Sequence, residues 1–290
     1  MNEGALVPVH EEGAVLVAAA TLDGIACAAV WARRIPLLRA VLFAPEGQTG
    51  RVFAMPALIS SDAKWQNIYC AGLSLAESEL EAVSATMMRP GLRQAIWLDH
   101  HHLHRACIAR LRSLGVRLIT DIKYESSCSL LLRHLHSEDK NDRRLCEAVR
   151  AAPDQLDEPW RSWLFVFLAV QPESFSIHHA IQPLIEGRPR DFDSALRADG
   201  ELRWREMVDF ARSPFHSSVC GEQRLVVAGL ASTQRLEFRL LVDEIIRGHE
   251  ADLCLVFFDY LPRLVLRAKE SLLHATWVSR LDELLAGSGA

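Results

Sequence analysis

Asp99, His100, His101 and His102 stand in one unbroken run, with His104 two further on, directly after the apolar segment Ala95-Ile96-Trp97-Leu98. A carboxylate oxygen beside imidazole nitrogens is the donor mixture that a divalent transition metal takes. A solvated loop rich in histidine has the same letters, and short motifs match by chance. Position favours the chemical reading: donors that follow a strand stand where parallel α/β sheets place their ligands, beyond the strand's carboxyl end. Thr21-Leu22-Asp23-Gly24-Ile25-Ala26 occupies an equivalent place after an earlier apolar run. An acid such as Asp23 is favoured in the first turn of a helix, where it can cap backbone amides and meets the positive end of the helix dipole. Gly24 permits a tight strand-to-helix turn.

The elements that must carry these residues alternate. Apolar runs at 14–20, 37–44, 67–73, 95–98 and 116–120 read as strands, and amphipathic segments at 23–34, 76–88 and 104–114 read as helices. Strands that are apolar throughout, separated by helices, predict a parallel sheet covered on both faces. Chemistry is therefore expected just after Ala20, Leu73, Leu98 and Thr120. From Ser126 to about Arg212 the pattern turns helical, with helices predicted at 127–135, 142–151 and 159–170 before a polar, arginine-rich stretch at 187–209. Strand signals return at 223–229, 252–258 and 263–267, with helices at 234–247 and 277–285. The expected fold class is α/β: a parallel-sheet domain with helical additions over 1–190, a linker or helical connection over 191–211, and a smaller α/β domain over 212–290. No internal repeat is visible.

The chain has 290 residues, half of them hydrophobic and 24% charged, which is globular composition and excludes disordered or low-complexity classes. Its 32 basic residues against 37 acidic ones give a formal charge of -5, which argues against gripping duplex nucleic acid over a broad basic face. A short nucleotide in a local pocket remains compatible. The seven cysteines show no C-x-x-C spacing and fall mostly in apolar runs, so they read as small buried hydrophobes in a reducing, cytoplasmic setting. The first twelve residues show no basic n-region of a signal peptide. The longest apolar stretches, 14–20 and 163–170, fall short of the roughly 20 residues that a membrane helix needs. Phosphate-binding, dinucleotide and serine-hydrolase glycine motifs are absent from the sequence. Trp160, Trp163, Phe165 and Phe167 read as core, His134 and His136 as surface positions, and His178-His179 as an exposed helix start.

Asp99-His100-His101 after the fourth strand, Leu22-Asp23-Gly24-Ile25-Ala26 after the first, and Ser126-Ser127-Cys128-Ser129 opening a helix past the fifth together resemble the DHH phosphoesterase superfamily. That superfamily includes RecJ-type nucleases, oligoribonucleases, cyclic-dinucleotide phosphodiesterases, exopolyphosphatases and family II inorganic pyrophosphatases. The resemblance spans nearly the whole chain. It implies a DHH-type N-terminal domain, a smaller DHH-associated domain and a ligand site in the cleft between them. It also implies metal ligation by Asp23 and His100, catalytic roles for Asp99 and His101, and substrate contacts from Ser127 and Arg267.

The family's remaining ligands are missing here. A histidine of the first motif falls on Val17, an aspartate on Thr21, another on Cys70 or Ala71, and a late one near Gln171, with Glu173 the nearest carboxylate. Two-metal hydrolysis needs bridging carboxylates to hold two cations together, so the resemblance implies one divalent cation at most, Mn²⁺ or Mg²⁺, or none. The implied partner is a small phosphate-bearing ligand or a short oligonucleotide, and a homodimer is compatible. Two functions follow: a metal-dependent phosphoesterase, or an inactive relative that binds a nucleotide or a protein. The chain's final Leu285-Ala-Gly-Ser-Gly-Ala290 reads as a terminus rather than as the family's glycine-rich loop.

Overall fold

The computed structural model describes residues 13–35, 37–60, 64–101, 103–170, 177–186, 192–220, 223–230, 237–258 and 264–268. His102, Gln171, Glu173, the helix expected at 277–285 and the terminal segment lie outside them. The chain divides into two compact units, Met1–Glu201 and Leu202–Ala290.

In the first unit β1 (Ala14–Ala19), β2 (Leu38–Ala44), β3 (Asn67–Ala71), β4 (Gln94–Asp99) and β5 (Arg117–Thr120) form one sheet in the order β2-β1-β3-β4-β5. All four pairings are parallel. The apolar runs of β1 and β3 are buried at every position, whereas the edge strands β2 and β5 are mostly half-exposed. The connecting helices are α1 (Leu22–Ala32), α2 (Thr49–Phe53), α3 (Pro56–Ile59), α4 (Leu80–Met87) and α5 (Arg105–Ser113). The segment expected as one helix over 76–88 instead opens with a tight 3-10 turn at Glu77–Glu79, because a helix terminus tightens readily where Glu79 turns back to accept from the Ala76 amide at 3.0 Å.

One face of the sheet carries Val15, Val17, Ile68, Cys70 and Trp97, packed against Phe53, Leu58, Val83 and Leu111 from α2 to α5. Each such side chain removed from water contributes about 1.5–3 kcal/mol. The helices α6 (Ser127–Leu135), α7 (Lys140–Arg150), α8 (Trp160–Ala169), α9 (Ile177–Ile185) and α10 (Ser194–Ala211) complete the helical part. Because α6, α7 and α9 pack over α1, that helix is apolar nearly all round and buried from Gly24 to Trp31. Trp163 and Phe167 are buried in α8, as their core reading expects. The polar 187–209 stretch contains most of α10, and the break between the two units falls within that helix.

In the second unit β6 (His216–Cys220), β7 (Gln223–Leu230), β8 (Leu253–Phe258) and β9 (Leu264–Ala268) run in that order, and α11 (Phe238–Gly248) links the parallel pair β7 and β8. The other two pairings are antiparallel. Val226, Ala228, Cys254 and Val256 are buried, as are Leu241, Val242 and Ile245 of α11. The strand β6 has no counterpart in the sequence reading: His-Ser-Ser-Val-Cys is polar at three of five positions and forms an edge strand. Among the described residues, no helix is long and apolar enough to cross a membrane.

Candidate functional site

The strand order reverses between β1 and β3, which makes their carboxyl ends the topological switch point of the sheet. Two glycines shape that end. A Cβ on Gly24 would lie 2.1 Å from the Ala19 carbonyl oxygen, so only glycine lets α1 start so close behind β1. Gly72 leaves β3 with φ +62, the left-handed region that favours glycine. A Cβ there would lie 3.5 Å from Ser127 Oγ.

The capping role expected for Asp23 on its own helix is corrected. Thr21, in extended backbone, caps α1 by accepting from the Gly24 amide at 3.2 Å. This leaves the Asp23 carboxylate free to reach a different helix: Oδ2 accepts from the Ser127 amide at 2.7 Å and Oδ1 from the Cys128 amide at 2.9 Å. Ser126 Oγ accepts from the Ser129 amide at 3.0 Å. The first three amides of α6, which a helix leaves without internal partners, are thereby satisfied, two of them by a carboxylate 104 and 105 residues away.

Ser127 continues the network inward. Its hydroxyl lies 2.8 Å from His100 Nδ1 and donates to Asp99 Oδ1 at 3.3 Å. With that proton given to Asp99, the His100 Nδ1–H is the donor to Ser127. Asp99 Oδ1 also receives the His101 amide at 3.2 Å and lies 2.8 Å from His101 Nδ1. Both rings are thus held through Nδ1, which directs the lone pair of the neutral imidazole to Nε2. The ring centroids of His100 and His101 are 3.8 Å apart.

Exposure rises from the base of the site outward: the side chain of Asp99 is 0% exposed, His100 16% and His101 61%. Asp99 Oδ2 is buried with no hydrogen-bond partner among the described residues. Burial pulls the His101 imidazolium down, but the Asp99 hydrogen bond and the charges of Asp99, Asp23 and Glu46 outweigh it. His101 therefore keeps its proton above the usual 6.5.

Asp99, His100 and His101 each offer a ligand atom, and these atoms lie within 4.8 Å of one another, the one such group found among the described residues. A buried carboxylate with one oxygen unpartnered, grouped with two borderline imidazoles, is a donor set that fits one divalent cation. Asp23 Oδ2 stands 3.5 Å from His100 Nδ1, at the rim of that group. The positions where further carboxylates are missing have other occupations. Val17 and Cys70 face each other in register on β1 and β3, fully buried in the core, and burial pushes the Cys70 thiol up. Thr21 is committed to capping.

Of the residues singled out in the sequence, Asp23, Asp99, His100, His101 and Ser127 meet at this end of the sheet. His104 does not: it turns to the exposed Glu77. Arg267 lies on β9 of the second unit, paired with Cys254. His178 and His179 stand in the first turn of α9. The residue that sequence reasoning missed is Glu46, just past the end of β2, whose charge acts on His101. Its signal was the strand-end rule itself, applied to the strands ending near Ala20, Leu73, Leu98 and Thr120 but not to the one ending at Ala44.

No family model matches the chain. No curated protein matches it by sequence. Among solved structures, it is similar to RecJ in complex with Mn²⁺ from Thermus thermophilus, at 11% identity and a TM-score of 0.49, covering 98% of this chain and 56% of that one. An exonuclease RecJ bound to manganese matches at 12% identity and a TM-score of 0.46, over 89% of this chain and 78% of that one. The pGpG-specific phosphodiesterase PggH from Vibrio cholerae matches at 13% identity and a TM-score of 0.44, over 96% of this chain and 88% of that one.

Proposed function

We propose that this chain is a DHH-type phosphoesterase-like protein that takes a short phosphodiester or phosphoanhydride, a nucleotide or short oligonucleotide, at the Asp23–Asp99–His100–His101 centre with a single divalent cation. The observation that carries this reading is the bare Asp99 Oδ2. A buried carboxylate oxygen without a partner costs desolvation free energy, and the carboxylate that carries it belongs to a group with His100 and His101 whose ligand atoms lie within 4.8 Å of one another.

Asp99, His100 and His101 would hold the cation. Two nitrogens in the set favour a transition metal such as Mn²⁺ over Mg²⁺, which prefers oxygen alone. When bound, such an ion supplies Lewis-acid polarisation of a phosphoryl oxygen and lowers the pKa of a water beside it. The chain's own residues do the rest. Ser127 is a positioning residue: its hydroxyl is spent on His100 and Asp99 rather than left for substrate. Asp99 is a positioning residue for His101 as well: it accepts at Oδ1 from the ring's Nδ1, which leaves Nε2 as the atom that ring would offer the ion.

A second reading, a relative that binds its ligand without hydrolysing it, is favoured by one observation. Both oxygens of Asp23 are engaged by the amides of α6, so they are already occupied where an ion would need them. The test is metal content by elemental analysis together with turnover of bis-p-nitrophenyl phosphate in Mn²⁺. About one ion per chain, with turnover abolished in Asp23→Ala and His100→Ala, is expected for the phosphoesterase. Neither metal nor turnover, with a nucleotide still raising the melting temperature, would leave only the binding protein.

A further inference from the structure

Three cysteines meet behind the site. Cys27 of α1 touches Cys128 of α6, and the Cys146 thiol of α7 lies 2.7 Å from Cys128 Sγ. This is direct sulfur-to-sulfur contact between two helices, with both thiols free. By contrast, Cys107 turns its thiol to the Leu75 carbonyl at 3.5 Å. Cys128 is also the residue whose amide holds Asp23, and it follows Ser127, which orients His100. The first turn of α6 thus belongs to the site on one side and to the thiol group on the other.

We propose that Cys128 and Cys146 are a dithiol that oxidises to a disulfide, fixing the first turn of α6 to α7. Cys146 is 7% exposed and Cys128 fully buried, so in this proposal Cys146 is the residue that a small hydroperoxide oxidises first. As Cys146 gives up its proton, the thiolate sulfur takes the terminal peroxide oxygen and the O–O bond breaks; the proton leaves on the other oxygen as an alcohol, or as water from hydrogen peroxide, and sulfenic acid remains at Cys146. Cys128 then attacks that sulfur. The S–O bond breaks, the S–S bond forms, and the hydroxyl leaves as water with the Cys128 proton. Two thiols lose two electrons in all and one peroxide bond gains them. The resolving sulfur is already in contact, so the second step needs no opening of the helices. Disulfides in a reducing compartment are characteristically of this redox-sensing kind. The pair stands on its own geometry, whether the neighbouring site hydrolyses its ligand or only binds it.

The full chain, treated with hydrogen peroxide, quenched with an alkylating reagent and digested with trypsin without reduction, tests the pairing. The expected product joins peptide 124–133 to peptide 145–150, and thiols titrated in denaturant fall by two from the seven in the sequence. In Cys146→Ser both changes vanish, while Cys107→Ser leaves them as they were. A cross-link joining peptide 1–33 to 124–133, a two-thiol loss that persists in Cys146→Ser, or seven intact thiols after exposure that oxidises exposed methionine would each overturn the assignment.

Discussion

Asp99 and Asp142 are both 0% exposed, both in the first unit, and are held in opposite ways. Asp142, on α7, has each oxygen taken by a guanidinium, Oδ1 by Arg33 and Oδ2 by Arg34, and Ser137 Oγ donates to Oδ2 at 2.6 Å. Arg33 also donates to the Leu184 carbonyl at 2.9 Å, so the cluster pins the end of α1 to α7 and α9. Asp99 gathers three donors on Oδ1 and leaves Oδ2 bare. A carboxylate closed on both oxygens by fixed cations is an anchor. One with an open, buried oxygen and only a hydroxyl, an amide and an imidazole as donors is costly unless something else completes it, and such groups concentrate at functional sites.

That contrast breaks or sharpens under substitution. Asp142→Ala strips two guanidinium groups of their counter-charge. They still reach water, so the expected cost is about 3 kcal/mol, the low end for breaking a buried pair. It would be read as a lower urea midpoint. Asp99→Asn, by contrast, should unfold within about 1 kcal/mol of the parent, because the oxygen it replaces makes no hydrogen bond. Equal losses for the two would erase the distinction between anchor and site.

Asp23→Asn keeps one acceptor where the carboxylate offers two, so one amide of α6 loses its partner. The expected cost is about 1 kcal/mol, in line with loss of a helix cap. Faster hydrogen exchange confined to the Ser127 and Cys128 amides would place the loss at that helix start. Unchanged exchange at both amides would show that Asp23 does not cap α6 in solution.

The smallest effect is in the pH dependence. His101 has a folded pKa raised above its ordinary 6.5, so its protonated form is favoured by folding. The stability this contributes is complete below the unfolded pKa and is lost as pH rises through the folded value. The ring is 61% exposed, so solvent screens the contribution. An NMR titration should show His101 deprotonating above 6.5, with the midpoint falling in Asp99→Asn. A midpoint that does not move would mean that Asp99 is not the partner holding that proton.

Much of this was legible in the residues themselves. The apolar runs around Leu16, Ile68 and Trp97 are strands because uninterrupted apolar segments suit the interior of a sheet buried on both faces. The helix beginning at Ser127 is legible from Ser126, whose short polar side chain caps it. Other elements were not. The helices at Thr49–Phe53 and Pro56–Ile59 are too short to show a helical period, and His216–Cys220 is an edge strand whose polar residues carry no apolar signature.

The sequence by itself determined which chemistry was on offer: Asp23, Asp99, His100 and His101 after two strands, and a valine, a threonine and a cysteine where further ligands would stand. Those are properties of residue type and local order, and short-range physics fixes them. The assignment of each carboxylate was decided only by the fold. Asp23 belongs to α6 rather than to its own helix, Asp142 to two arginines more than a hundred residues earlier, and Glu46 to the surroundings of His101. The partner of a charge is whatever the packing of parallel strands and their helices brings within hydrogen-bond reach, and no spacing along the chain encodes that.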